Sequence, residues 1–201
     1  MIEKTLCIKI NYLQSNATDS KSVELRFMSV RVGLGVPLFK SFWAYSDLAS
    51  KYLTKSCKKW PKKLPSGIIH GDVFIDNIFF KNNKLSGIID FYFAANDYFM
   101  YEIAICVNAL CFDKRASKFF LNKKKVKNLI KGYESVKKVS IKEKKSLNIL
   151  CRGAAMRYFL TRLFDYSNTP KSALIKIKDP REYYQKLVIH NNLKIYKDYI
   201  K

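Results

Sequence analysis

The chain contains no Cys-x-x-Cys pair, and its five cysteines, at positions 7, 57, 106, 111 and 151, form an odd set. The nearest two, Cys106 and Cys111, have neither a second pair nor a nearby histidine, so a disulfide framework and a zinc site are both disfavoured. The sequence does not open on an uninterrupted apolar stretch, and no window of about 18 apolar residues escapes a polar interruption. A signal peptide and a membrane span are therefore not expected, and no internal repeat is visible. These absences predict a soluble, cytoplasmic protein with no membrane partner. Arginine is also scarce, at seven of the 38 basic residues, although only 16 acids oppose them and the net charge is +22. Such an excess attracts phosphate polyanions without regard to sequence. Lysine, however, is a hydrated point charge and lacks the planar fork favoured in nucleic-acid recognition. The densest run, Lys123-Lys-Lys-Val-Lys127, reads as a solvated helix face, and no specific nucleic-acid partner is expected.

What the sequence does contain is enough apolar material for a core. At 201 residues, 48% hydrophobic and 27% charged, it has the composition of a globular chain of one ordinary domain. Its charge is unevenly placed. Between His70 and Asp113 lie six acids (Asp72, Asp76, Asp90, Asp97, Glu102, Asp113) and two bases (Lys81, Lys84), so the local balance is −4 while the rest carries +26. A site built to hold a polyanion directly has little use for clustered carboxylates, whereas a divalent-metal site needs them. Charge alone places the chemistry in the middle of the chain.

Residues 1–34 are poorly patterned, and residues 35–201 form the expected domain. Apolar residues from Phe39 to Trp60 suit an amphipathic helix ending before Pro61. Asn77–Phe80 and Leu85–Asp90 read as two short strands joined by the polar Lys81-Asn-Asn-Lys84, a β-hairpin. The spacing predicts further helices over Tyr98–Phe112, Phe119–Val136 and Leu147–Tyr166. A last helix is expected near Asp179-Pro180, where Asp can cap and Pro suits the first turn.

One stretch carries chemistry. Ile68-Ile-His-Gly-Asp-Val-Phe-Ile-Asp-Asn-Ile-Phe-Phe80 contains His-x-Asp-x-x-x-x-Asn, and a second acid, Asp90, ends an apolar strand 18 residues after Asp72. Spacing and context match a phosphotransferase catalytic loop followed by a metal-binding Asp. In that reading Asp72 accepts or orients the proton of an attacking hydroxyl, Asn77 and Asp90 offer hard oxygens to Mg²⁺ on the phosphates of ATP, and His70 braces the loop. Taken singly, each residue has a plainer explanation: a turn for the His-x-Asp, a cap for the Asn, a helix N-cap for the strand-ending Asp. The joint spacing favours phosphoryl transfer.

Around this stretch the sequence resembles the bacterial homoserine kinases, which share the aminoglycoside phosphotransferase and protein-kinase-like fold. The resemblance runs through Trp60-Pro-Lys-Lys-Leu-Pro-Ser-Gly-Ile-Ile-His-Gly-Asp72, Asp76-Asn-Ile-Phe-Phe80 and Gly87-Ile-Ile-Asp-Phe-Tyr-Phe-Ala-Ala-Asn-Asp97, into Tyr101-Glu-Ile-Ala-Ile-Cys-Val-Asn108. It continues through Arg152–Asp165, Lys178–Tyr184 and His190. It implies an α+β, mainly helical fold: the C-terminal lobe of a protein-kinase-like structure with a short β-hairpin. It also implies phosphorylation of L-homoserine by ATP with Mg²⁺. The family's N-terminal β-lobe, with a glycine loop and a phosphate-gripping Lys, is largely missing before Phe39. Gly33-Leu-Gly35, the only Gly-x-Gly, reads as a turn beside Pro37. A truncated or split enzyme is expected, completed by a separately encoded N-terminal lobe or by self-association. The alternatives are a degenerate, non-catalytic lobe and another small-molecule kinase of the superfamily.

An amino-acid substrate needs a cation for its carboxylate and an acid for its ammonium. Asp97, Arg157 and Arg162 are the candidates, with Asp165 beside them. Five residues apart, Arg157 and Arg162 are separated by about 140° around a helix and should not share a face. Arg162 and Asp165 could form a helical ion pair.

Overall fold

The computed structural model describes residues 59–169, 174 and 177–201. The helix expected over Phe39–Trp60 lies outside the described residues except for positions 59 and 60, which are not helical; the Gly33-Leu-Gly35 turn lies outside them, as do Cys7 and Cys57. Six short strands pair as three separate antiparallel two-stranded sheets. These are β1 (Ser66–Ile69) with β4 (Ala95–Tyr98), β2 (Ile78–Lys81) with β3 (Lys84–Ile88), and β5 (Phe112–Arg115) with β6 (Lys118–Leu121). Five helices accompany them: α1 (Phe99–Leu110), α2 (Lys123–Glu134), α3 (Ile141–Asn168), α4 (Arg181–Asn192) and the single turn α5 (Lys197–Ile200). The described part is thus helix-rich with small sheets.

The expected hairpin is present as β2 and β3, turning through Asn82 and Asn83, both with positive φ (50° and 59°), a conformation asparagine tolerates better than most residues. A register shift between Phe79 and Phe80 bulges the ladder. The β1–β4 pair did not show in the sequence pattern. Its register, from Ser66 opposite Tyr98 to Ile69 opposite Ala95, sets the end of β1 beside the start of β4 and fixes where the next residues, His70 to Asp72, emerge.

Two helix boundaries differ from expectation. The first part of the helix expected over Phe119–Val136 is strand: Phe119–Leu121 belongs to β6, and α2 starts after Asn122, whose side chain accepts from Lys125 N at 3.0 Å. Asn122 also donates to Asp113 Oδ2 at 2.7 Å, tying the start of α2 to β5. The helix expected from Leu147 begins six residues earlier, because Ser140 and Glu143 form a reciprocal capping box, with Ser140 N donating to Glu143 Oε2 at 2.8 Å and Glu143 N to Ser140 Oγ at 3.2 Å. At α4 the Asp179 carboxylate accepts from Arg181 N at 2.8 Å, close to the expected capping.

The core lies where α1 and α4 pack against α3. Met100, Ile103, Ala104 and Val107 of α1 meet Leu147, Leu150 and Cys151 of α3, with Val126 and Ile130 of α2 and Tyr199 closing the cluster. Burying side chains of this size contributes about 1.5–3 kcal/mol each before conformational entropy is subtracted. Close approach is built in at Gly153: a Cβ there would stand 2.4 Å from the Trp60 ring. Cys106, Cys111 and Cys151 are free and buried. No helix among the described residues is long and apolar enough to cross a membrane.

Candidate functional site

The loop after β1 is held from three directions. Gly71 takes φ +78°, and a Cβ there would lie 2.4 Å from Phe93 O, so glycine is required by both conformation and space. From below, Glu102 of α1 accepts from Gly71 N through Oε2 at 2.9 Å. From α3, Arg157 donates through Nη1 to Gly71 O at 2.7 Å, and the Tyr158 hydroxyl lies 3.2 Å from the same oxygen. His70 is buried; its Nε2 sits 2.8 Å from Ile89 O and its Nδ1 accepts from Asp72 N at 3.2 Å. Those two contacts suit an imidazole protonated on Nε2, which joins the loop to the end of the hairpin.

Asp72, Asn77 and Asp90 are brought together by this scaffold. Asn77 Nδ2 donates to Asp72 O at 2.9 Å, and Ile89 N donates to Asn77 O at 3.1 Å, so the loop, the following 3₁₀ turn (Ile75–Asn77) and the residue before Asp90 form one connected unit. Asp90 has φ 63° and ψ 63°, the left-handed region, and its side chain caps nothing in the turn that follows. That conformation, uncommon outside glycine, aspartate and asparagine, ends β3 sharply and leaves the carboxylate exposed. Burial raises the Asp72 pKa above the usual carboxylate value. The hydrogen bond from Tyr158 and the charge of Arg157 oppose this, while the neighbouring Asp90 charge adds to the rise.

Of the substrate-side candidates, Asp97 and Arg157 face one another electrostatically across the loop. Asp97 Oδ1 accepts from Tyr98 N at 2.6 Å, and burial raises the Asp97 pKa. Burial works against the charge on Arg157, and Tyr101, Tyr158 and Asp72 outweigh it, so the guanidinium stays cationic. It also lies against the rings of Phe93 and Tyr158, at 5.2 and 4.9 Å. Arg162 goes elsewhere. It does not form the helical pair with Asp165, which is exposed; its Nη1 meets Glu182 Oε2 of α4 at 2.7 Å and its guanidinium covers the Tyr183 ring. Glu182 in turn pairs with Lys186 at 2.5 Å. The half-turn between the two arginines is what separates them: one reaches the loop, the other α4.

The second histidine, His190, is fully buried between the Tyr199 hydroxyl (Nδ1, 3.0 Å) and Asn108 Oδ1 (Nε2, 3.1 Å), and burial pushes its pKa down to about 3. It is a packed, neutral residue of the core.

Three residues of the site went unassigned at the sequence level: Tyr101, Glu102 and Tyr158. Tyr101 is a hydrogen-bonding and electrostatic neighbour of Arg157, and Glu102 and Tyr158 touch the loop directly. Only the local acidity around Glu102 pointed toward it; an isolated tyrosine in an apolar helix carries no such signal.

In oxygen chemistry, Asn77 and Asp90 suit a hard cation. The Asn77 amide nitrogen is committed to Asp72 O, which leaves its oxygen to ligate, and Asp90 adds an exposed carboxylate. Magnesium is commonly held this way, by one or two protein oxygens plus substrate phosphates. Among the described residues no group of three His, Cys, Asp or Glu side chains forms a metal cage.

Residues 44–132 match the model of the phosphotransferase enzyme family, designated APH. More narrowly, the chain is similar to homoserine kinases. It is 51% identical over 131 residues to the homoserine kinase of Sinorhizobium fredii, covering 65% of this chain and 39% of that protein. With the homoserine kinase of Agrobacterium fabrum the identity is 50% over 134 residues, 67% of this chain and 41% of that one. With that of Methylobacterium radiotolerans it is 48% over 140 residues, 70% and 43%. The chain spans about two fifths of the length of the curated relatives it matches.

Proposed function

We propose that the chain supplies the acidic half of a homoserine kinase site, transferring the γ-phosphoryl group of ATP to the side-chain hydroxyl of L-homoserine to give O-phospho-L-homoserine and ADP. The observation that carries this reading is the unit formed by Asp72, Asn77 and the end of β3 at Asp90, bound together by the Asn77–Asp72 and Ile89–Asn77 hydrogen bonds. Asp72 orients the substrate hydroxyl and receives its proton. Asn77 and Asp90 would hold Mg²⁺, which would neutralise charge on the transferring phosphoryl group. His70 and Arg157 keep the loop in place, and Asp97 is the acid available to a substrate ammonium. Arg157 is the nearer cation for a substrate carboxylate; Arg162, paired to Glu182, is withdrawn from that task.

Catalysis of this type is positioning plus electrostatic stabilisation, and it needs closure over the phosphates as well as the carboxylates. Among the described residues there is no Gly-x-Gly loop. We assign closure to a polypeptide segment outside them, with a separately encoded N-terminal lobe or a second copy of the chain as the sources to test. The surface around the hairpin supports such a partner: Phe79, Phe80, Leu85, Phe91 and Tyr92 are all exposed, Phe80 by 61% and Tyr92 by 76%.

The test is homoserine-dependent ADP release by the full chain, alone and mixed with an N-terminal lobe taken from a similar homoserine kinase. The expected result is turnover that rises on mixing and is abolished by Asp72→Asn, while nucleotide binding persists. Turnover unaffected by Asp72→Asn, or release of ADP with other hydroxyl amino acids in preference to homoserine, would overturn the assignment.

A further inference from the structure

Arg157 and Tyr158 are neighbours in α3, and both reach Gly71 O in the loop 86 and 87 positions earlier, while Tyr158 reaches Asp72 as well. Arg157 Nη1 donates to Gly71 O at 2.7 Å, and the Tyr158 hydroxyl is shared between Asp72 Oδ1 at 3.0 Å and Gly71 O at 3.2 Å. Tyr158 is itself fixed. Its ring is buried, packed edge-on against Phe74 of the loop at 4.9 Å and against Tyr183 of α4 at 5.1 Å. A buried tyrosine seeks a partner for its hydroxyl, and the partner here is one oxygen of the residue proposed as the proton acceptor. Four-atom terminal freedom about the Asp72 Cβ–Cγ bond is otherwise broad, because that torsion has no sharp staggered preference.

We infer that Tyr158, with Arg157 beside it, is the positioning residue for Asp72: its hydroxyl anchors Oδ1 and so turns Oδ2 toward the substrate hydroxyl. The inference rests on the kinase reading for its consequence in turnover, and on geometry alone for the anchoring itself. A group held in this manner acts through Asp72 and touches no substrate. Losing it costs orientation of the reacting pair, to which rates are steeply sensitive, and leaves substrate binding intact.

The test uses Tyr158→Phe in the full chain, which deletes one hydroxyl and keeps the packed ring. Two readouts are taken. Hydrogen exchange of a peptide spanning residues 68–76 should quicken by about tenfold while a peptide spanning α1 is unchanged, since one loop anchor is lost and the core is not. In the mixture that turns over homoserine, kcat should fall about tenfold or more, the size expected for a hydrogen bond to a charged group, with KM for homoserine and for MgATP within about twofold. A KM rise with unchanged kcat would make Tyr158 a substrate contact and overturn the inference, as would unchanged exchange in the 68–76 peptide. If no preparation of the wild-type chain turns over homoserine, the kinase reading fails, and the exchange result alone decides the anchoring. Should Tyr158→Phe unfold the protein, Arg157→Lys is read by exchange alone, because Arg157 is also the proposed carboxylate cation: it keeps a cation on α3 and removes the fork that reaches Gly71 O, so quickened exchange in the 68–76 peptide supports anchoring of the loop from α3 and unchanged exchange overturns it.

Discussion

Glu102 of α1 accepts a hydrogen bond from the backbone nitrogen of Gly71 at 2.9 Å, across 31 residues of sequence, and thereby fastens the Asp72 loop to a helix of the core. Burial raises the Glu102 pKa above the usual carboxylate value, and the hydrogen bonds from Gly71 and His70 backbone nitrogens offset part of that rise. Glu102→Ala leaves the Gly71 donor without its partner. A loss of about 1–3 kcal/mol in urea unfolding is expected, and Glu102→Gln, which retains an acceptor, should lose less than half of that.

The metal assignment makes a separable prediction. Asp90→Asn and Asn77→Ala should each raise the Mg²⁺ concentration needed for half-maximal nucleotide binding by about tenfold or more, because each removes one hard oxygen from a site that has few. Asp72→Asn should leave that concentration nearly unchanged. Calorimetric titration of MgATP at varied Mg²⁺ distinguishes the two outcomes.

His190 gives the pH dependence of stability. Its folded pKa, about 3, lies below the ordinary value of 6.5, because burial, Lys186 and Arg152 all disfavour its charged form. The unfolded chain therefore binds the proton first as pH falls, so stability from this residue is complete above about pH 6.5 and is lost progressively toward pH 3. The slope should approach 1.4 kcal/mol per pH unit near pH 5. Thermal unfolding of His190→Gln between pH 7 and 4 should show a shallower decline than wild type, even though the variant starts lower.

Breaking the α3–α4 network should be costly. Burial pushes the Glu182 pKa up, but Lys186 and Arg162 more than compensate and hold it below the usual carboxylate range. Glu182→Gln leaves Lys186, nearly buried, and Arg162 without their anion. About 3 kcal/mol of destabilisation is expected, since removing one partner of a buried pair strands the other charge. Glu182→Gln should show little change in Mg²⁺-dependent nucleotide binding at temperatures where it remains folded, because the ion pairs of Glu182 run to Arg162 and Lys186 and not to Asn77 or Asp90.

The exposed apolar side chains of the hairpin predict association. Sedimentation of the full chain should show weight-average mass rising with concentration, and Phe80→Asp should suppress that rise without lowering the melting temperature by more than a few degrees, because Phe80 is largely exposed. A concentration-independent mass would remove self-association from the sources of phosphate closure.

What the sequence determined by itself was local. Nearly continuous apolar runs marked α1 and the body of α3, two polar asparagines between apolar runs marked the β2–β3 hairpin, and the spacing of His70, Asp72, Asn77 and Asp90 marked the chemistry, because each of these signals is carried by residues close together in the chain. The tertiary structure decided the rest. The β1–β4 register pairs segments almost thirty residues apart, and a four-residue strand has too few alternations to announce its partner. The Lys-rich pattern leading into α2 is compatible with helix or strand, and only the docking of β5 against β6 resolves it. Arg162 chose Glu182 over Asp165 because α4 brings a carboxylate against a largely buried guanidinium, where a pair gains more than on an exposed helix surface. Tyr158 and Glu102 acquired their contacts with the loop from the packing of α3 and α1 beneath it. Long-range hydrogen bonds of this kind leave no period or motif in the sequence, since what selects their partners is the position of the packed helices.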